Sequence, residues 1–164
     1  MNEIEINMPG KSRNRKHTRP AMSPLLRALT YSRAAHEPVT RAMLLQCYTA
    51  LDAFRRGQGS RDLFATLSRH LLAAEELCRL GLASDQLANI ESAHAAMVHV
   101  KSAKHHDGSW MLRDSEYSLL CAAFAILDAQ LSIAALDEIA RAEARVVEGL
   151  IRAEQKQAIA EASM

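Results

Sequence analysis

Apolar side chains recur every three or four residues along four stretches of this chain, which is the spacing of one face of an α-helix. The first two stretches cover residues 36–57 and 60–81. In the first, the repeat is formed by Val39, Met43, Leu44, Cys47, Leu51 and Phe54. In the second, it is formed by Leu63, Phe64, Leu67, Leu71, Ala74, Leu77 and Cys78. Each stretch predicts one amphipathic helix whose apolar face is turned toward a core.

The third and fourth stretches begin near residues 84 and 114. The third repeat is formed by Leu87, Ile90, Ala93 or His94, Met97 and Val98, and it ends at the sequence KHHDGSW. The fourth contains neither Gly nor Pro from Ser109 to Glu148. A single helix from Ser115 to Glu148 would be about 50 Å long, since each residue adds about 1.5 Å. Because that length would overhang a compact body, we expect a kink or break between Ser132 and Asp137.

Small and polar residues stand where these helices are expected to begin and end. Gly57 and Gly81 follow the first two repeats, at the position where a left-handed backbone favours glycine. Pro38 suits a first helical turn. The expected N-caps are Ser60, Ser84 and, for the fourth helix, Asp114 or Ser115. The connections are therefore short, which favours antiparallel neighbours.

Composition supports a helical class. Hydrophobic residues make up 49% of the chain but aromatic residues only 4%, and 6 Gly and 4 Pro leave little material for turns. Ala and Leu dominate the apolar set, and both are strong helix formers. The predicted fold is an all-α bundle of four to five antiparallel helices. Residues 1–24 are expected to form a flexible basic arm, residues 25–155 the bundle domain, and residues 156–164 a frayed tail.

Charge is distributed unevenly along the chain. Residues 1–35 have a net charge of +5, whereas the remainder has a net charge of −4. The cations of the arm are concentrated in Lys11, Arg13, Arg15, Lys16 and Arg19. Such a cluster can bind DNA or RNA phosphates, dock on an acidic protein surface, or only keep the chain soluble, and charge alone does not separate these alternatives.

Cysteine usage and hydropathy predict a soluble cytoplasmic protein without a membrane partner. Cys47, Cys78 and Cys121 lie far apart and include no CxxC pair, as expected for thiols in a reducing compartment. No uninterrupted apolar run approaches the roughly 20 residues that cross a bilayer. The N-terminus also lacks the apolar core of a signal peptide.

The sequence RRGQGSRD, residues 55–62, has two glycines like a phosphate-binding loop. It lacks the GxxxxGK[ST] and GxGxxG patterns, and a helix precedes it where those loops follow a strand. The segment therefore predicts a helix junction. The functional alternative is an anion site at the start of the second helix, assisted by Arg55, Arg56 and Arg61.

The sequence LCRLGLASDQLANIES resembles a helix-turn-helix, in which Gln86 and Asn89 would contact base edges. Asp85 and Glu91 would then face phosphates, and this charge argument favours an ordinary helical hairpin.

Catalytic and metal-binding patterns are weak. Metal sites in helix bundles need two Glu-x-x-His steps and two further Glu residues, whereas only Glu91 and His94 form such a step. His105, His106 and Asp107 stand in a predicted loop without further ligands. No nucleophile elbow is present. We expect no metal, no cofactor and no enzymatic activity.

The segments RNRKHTRP, LDAFRRGQGS, LFATLSRHLLAAEELCRLGL and SEYSLLCAAFAILDAQL resemble small all-helical accessory proteins of proteobacterial phages and integrative elements, over residues 12–145. This resemblance implies a non-catalytic protein that binds a host protein or ribonucleoprotein, such as an inhibitor of a CRISPR-type or other defence complex. The alternative is a DNA-binding transcriptional regulator that uses the basic arm and the helix-turn-helix-like segment. The Ala-rich fourth helix also permits a homodimer, because small residues allow close helix approach.

Overall fold

The computed structural model describes residues 33–108 and 110–162, and within these residues it contains five α-helices and no strand. The helices are α1 (Arg33–Arg55), α2 (Arg61–Arg79), α3 (Leu87–Asp107), α4 (Asp114–Ile133) and α5 (Leu136–Ala162). A short 3₁₀ turn, Ser84–Gln86, leads into α3. The all-α class is confirmed. The basic arm lies outside the described residues.

Helix α2 is the centre of the arrangement and packs against each of the other four helices. Helices α1, α2, α3 and α4 form a ring in which each helix packs against the next and α4 packs against α1. Helix α5 does not extend this ring. It turns away after α4 and packs against α2 from outside, and this placement forms the cleft described below.

Helix α4 carries much of the core, with Leu120, Phe124 and Leu127 fully buried. Its length and hydropathy are also those of a membrane-spanning helix. This is weak evidence for a membrane, since the core helix of a soluble protein passes the same test. Gln130 is fully buried on this helix, and its Nε2 donates to the carbonyl oxygens of Ala74 and Leu82 at 3.1 and 2.9 Å.

The predicted ends of the first two helices are confirmed by backbone geometry. Gly57 and Gly81 have φ values of 70° and 97°. Both ends have paired hydrogen bonds of the Schellman type, for example from Leu82 N–H to the carbonyl of Leu77 at 3.0 Å. Ser60 caps α2, because its Oγ accepts from Leu63 N–H at 3.2 Å. The sequence RRGQGSRD therefore forms the junction between α1 and α2, as predicted.

Other helix starts differ from the prediction. Pro38 lies inside α1, whose described part begins at Arg33. Ser84 does not cap α3, since it begins the 3₁₀ turn after Ala83, which has a left-handed φ of 56°. Neither Asp114 nor Ser115 caps α4. The start of α4 is capped instead by Glu116, whose side chain accepts a hydrogen bond from Arg113 N–H at 2.9 Å.

Some predicted faces are also wrong. Val39 and Val98 were expected in the core but are 45% and 62% exposed. Residues 105–107 are the last turn of α3 rather than a loop, because the helix continues until Gly108 adopts a φ of 69°. Helix α5 extends to Ala162.

The break in the fourth predicted helix is confirmed, and it occurs without Gly or Pro. Ala134 has an extended backbone with ψ 141°, and its side chain is buried. Glu138 then accepts a hydrogen bond from Ala135 N–H at 2.9 Å, which satisfies a free donor at the start of α5. The chain therefore leaves α4 and redirects α5 across α2.

Candidate functional site

A cleft lined by residues of α2, α3 and α5 together with Trp110 lies within the described part of the chain, and we call it the Trp110 cleft. Its volume is about 780 Å³. Its floor is one face of α2, formed by Arg61, Phe64, Ala65, Ser68, Arg69 and Leu72. One wall comprises Lys101, Lys104 and Trp110, and the other comprises Leu150 and Glu154 of α5. Such a volume lies within the range of ligand-binding clefts in proteins.

Trp110 is the only tryptophan of the chain and is held in place from several sides. Its ring lies 5.2 Å from that of Phe64 and 6.1 Å from that of Phe54, the latter edge to face. Gly59 lies against it so closely that a Cβ there would approach Trp110 O to 2.5 Å. The glycine is thus required by close packing at this position. Trp110 is therefore a fixed aromatic wall.

The rim of the cleft is cationic. Lys104 Nζ lies 5.8 Å from the centre of the Trp110 ring and donates to the carbonyl of Gly108. Arg69 pairs with Glu143 on α5, with Nε 3.0 Å from Oε2. Arg61 and Lys101 have exposed side chains. Glu154 supplies the single carboxylate in the lining, so the cleft has a net positive charge and favours an anionic ligand group.

The structure separates the three arginines of the predicted anion site. Arg55 lies over the Tyr117 ring, 4.8 Å from its centre. Arg56 pairs with Asp52 at 2.9 Å, one turn earlier on α1. Arg61 alone lines the Trp110 cleft. Two of the three thus have partners elsewhere, and the third belongs to a different site.

The two predicted base contacts are bonded to each other. Asn89 Nδ2 donates to Gln86 Oε1 at 2.8 Å, and Gln86 Nε2 donates to Asp85 Oδ2 at 2.7 Å. Asn89 is exposed and Gln86 is half-buried. A base contact would have to replace these hydrogen bonds beside a carboxylate. The five cations of the arm, residues 11–19, lie outside the described residues.

Other polar clusters in the described part of the chain are structural ion pairs or small hollows. Glu75 and Glu76 lie between α2 and its neighbours, where Glu75 Oε2 is 3.1 Å from His94 Nε2 and Glu76 Oε2 is 3.3 Å from Arg145. A hollow of about 300 Å³ is lined by the buried His36 and the exposed Asp128. No group of three or more His, Cys, Asp or Glu within residues 33–108 and 110–162 is arranged to hold a metal ion.

Two cysteine thiols, those of Cys47 and Cys78, lie in an environment that disfavours the reactive thiolate. Burial raises the pKa of Cys47 from 9.0 to about 12. Burial also raises the pKa of Cys78, against a smaller lowering by its hydrogen bond from Gln130. Since the thiolate is the nucleophile, both thiols are poorly suited to catalysis near neutral pH.

Sequence reasoning missed most of the Trp110 cleft. Only Arg61 and Phe64 were singled out, the former for another site and the latter for the core. Leu150 lies about 40–50 residues from Trp110 and Lys101 in sequence, so no local pattern joins them. The one available signal was a single tryptophan in the connection between two helices of an aromatic-poor chain.

Comparison with known proteins gives no relative for this chain: no protein-family model, curated protein or solved structure matches it.

Proposed function

We propose that this chain is a non-catalytic binding protein that holds a segment of a partner protein in the Trp110 cleft. The observation that supports this proposal is the combination of a fixed aromatic wall with a cationic rim. Aromatic and aliphatic side chains provide binding energy when they are covered, while charged rims select the partner and guide its approach. The polar groups of the lining are suited to recognition, and the proposal includes no metal and no cofactor.

The proposed setting is a phage or integrative element, in which the chain acts in the cytoplasm on a host protein or ribonucleoprotein. A CRISPR-type or other defence complex is one such target. This setting follows from the sequence resemblance over residues 12–145 alone. In the proposal, neighbouring helices run antiparallel, and the basic arm adds contacts to acidic protein or to nucleic acid. The proposal also includes a homodimer, which sedimentation would detect.

A transcriptional regulator is the alternative, and the geometry favours it less. The segment that would contact bases carries Asp85 next to Gln86, and both amides are already engaged. Placing this carboxylate near phosphates is unfavourable. The Trp110 cleft, in contrast, combines apolar surface with cations, which suits an acidic protein segment.

The proposal is tested by affinity capture from a bacterial host lysate, with nuclease added to half of each sample. The immobilised proteins are the full chain, the double variant Arg61→Glu, Lys101→Glu, and the control Arg41→Glu. Arg41 is exposed on α1 away from the cleft lining. We expect one or a few host proteins to be retained despite nuclease by the wild type and the control, and lost by the double variant.

Equal retention by all three proteins would contradict a role for the cleft. Recovery of DNA alone, lost with nuclease and weakened by Gln86→Ala, Asn89→Ala, would instead support the regulator. Circular dichroism and thermal unfolding of each variant show whether the bundle is intact before binding is compared.

A further inference from the structure

The floor of the Trp110 cleft has a regular geometry. Its six residues on α2 follow the spacing i, i+3, i+4, i+7, i+8 and i+11, counted from Arg61. This spacing defines one side of a helix over three turns, about 16 Å in length. Helix α5 also packs against α2, and it contacts this side through the pair formed by Arg69 and Glu143. The cleft is therefore an elongated groove along a helix.

The size of the groove fits part of a helix. A three-turn helix about 10 Å in diameter has a volume of roughly 1,300 Å³. The cleft volume of about 780 Å³ accommodates its apolar face and leaves its polar face in water. Helical peptides commonly bind proteins in this way, with anchors at positions i, i+3, i+4 and i+7.

The two walls carry opposite charges, which determines how a charged occupant is oriented between them. Lys101 and Lys104 of α3 stand on the wall with Trp110, whereas Glu154 stands on the α5 wall. Arg61 lies at one end of the floor. An occupant with carboxylates along the side that faces α3 complements this pattern. Residues 1–35 of the chain, with a net charge of +5, do not.

We propose that the Trp110 cleft binds an amphipathic helix of a partner protein, about three turns long, with acidic residues along the edge facing Lys101 and Lys104. This inference rests on the proposed function and specifies the partner's chemistry. Leu150, which is 44% exposed, and the apolar side chains of Phe64 and Trp110 would be covered by the apolar face of that helix.

Trp110 provides the measurement, because a single tryptophan reports binding at this site without labelling. Three synthetic 18-residue peptides without tryptophan serve as probes. The first has leucines at i, i+3, i+4 and i+7 with glutamates on one flank, the second has lysines in place of those glutamates, and the third is the acidic peptide with a central proline. Each is titrated into the full-length protein while Trp110 emission is recorded.

We expect saturable binding of the acidic peptide, at least ten-fold tighter than that of the basic or proline-containing peptide and weaker at high salt. Lys101→Glu and Leu150→Glu should each weaken it five-fold or more, while Arg41→Glu should leave it unchanged. Equal affinity of the acidic and basic peptides, or no binding of any peptide up to 1 mM, would overturn the inference.

Two further outcomes would assign the groove to another occupant and so overturn the inference. One is tighter binding of a 20-nucleotide single-stranded DNA that displaces the acidic peptide. The other is self-association above the 18.1 kDa monomer in sedimentation that Lys101→Glu abolishes. Failure of the peptides alongside cleft-dependent capture from lysate would reject the helical partner but retain the proposed function.

Discussion

The two halves of α5 differ in almost every physical respect, although one unbroken helix contains both. From Leu136 to Val146 the helix buries Ile139, Ala142 and Val146 against α2. From residue 147 to residue 161 every side chain is exposed, a length of about 22 Å at 1.5 Å per residue. The exposed half is supported by local pairs such as Arg152 with Glu148, 3.2 Å apart.

This difference indicates which part of α5 serves the fold and which part is available for contacts. An isolated helix of about 15 residues is marginal in water, and each local pair adds only about 0.2–0.5 kcal/mol. The exposed half nevertheless retains Val147, Leu150 and Ile151, which are 44–48% exposed. These residues contribute little to the bundle, and one of them, Leu150, lines the Trp110 cleft.

The largest expected effect comes from truncating a side chain in the packed half. Ile139→Ala should lower the free energy of unfolding by about 2–4 kcal/mol, since it removes buried contacts and leaves a cavity against α2. Leu150→Ala in the exposed half should change it by less than about 0.5 kcal/mol. Urea unfolding followed by circular dichroism measures both. A comparable loss in the two variants would show that the second half is packed as firmly as the first.

The wall of the cleft opposite α5 is tested by Gly59→Ala. The added Cβ would lie 2.5 Å from Trp110 O, so the connection must shift. We expect the free energy of unfolding to fall by about 1–3 kcal/mol and the Trp110 emission spectrum to change. The matched change is Gly57→Ala, where the nearest atom would be 4.0 Å away and the cost of about 1–2 kcal/mol arises from φ 70°. Gly57→Ala should therefore destabilise the protein without changing the emission, and a spectrum altered equally by both would contradict this distinction.

A cysteine inside the bundle and a cysteine on the exposed half of α5 should differ in pKa and in reactivity. The pKa of Cys47 is raised by burial to about 12, above the 9.0 expected when unfolded. The protonated thiol is therefore favoured by folding, and its contribution to stability is complete below pH 9 and is lost as the pH rises toward 12. Between pH 9 and pH 12 the free energy of unfolding should fall by up to about 1.4 kcal/mol per pH unit.

The free energy of unfolding should thus fall more between pH 8 and pH 10.5 in the wild type than in Cys47→Ala. A cysteine introduced by Ile151→Cys should react with iodoacetamide at an ordinary rate, while Cys47 should react only after unfolding. Mass spectrometry of the labelled peptides reports both sites. Equal labelling rates in the folded protein would mean that water reaches the interior of the bundle.

Much of the bundle could be predicted because local chemistry determines it. Gly57, Gly81 and Ser60 each act through their own backbone conformation or hydrogen bond, and these effects are visible in sequence. The break near Ala134 was predictable from length alone. Ser84 does not cap α3 because Ala83 before it adopts a left-handed conformation, which an alanine in the sequence does not indicate.

The candidate site could not be predicted because it depends on where α5 packs. A helix that follows α4 after two residues would ordinarily be expected beside α4, but α5 packs across α2. That choice brings Leu150 next to Lys101 and Trp110, which are about 40–50 residues away in sequence. Periodicity also failed for Val39 and Val98, since a helix repeat shows which residues share a face and not which face is covered.

The smallest expected effect is the most specific test of the exposed half. A Cβ added to Gly149 meets no atom within 4 Å. Gly149→Ala should therefore gain only helix propensity, up to about 1 kcal/mol. If residues 147–161 open separately from the bundle, the gain appears as slower amide hydrogen exchange in that segment, while the urea midpoint for the whole protein stays constant. If instead the midpoint rises by the full amount, the two halves of α5 unfold together, and the exposed half belongs to the cooperative fold despite its exposure.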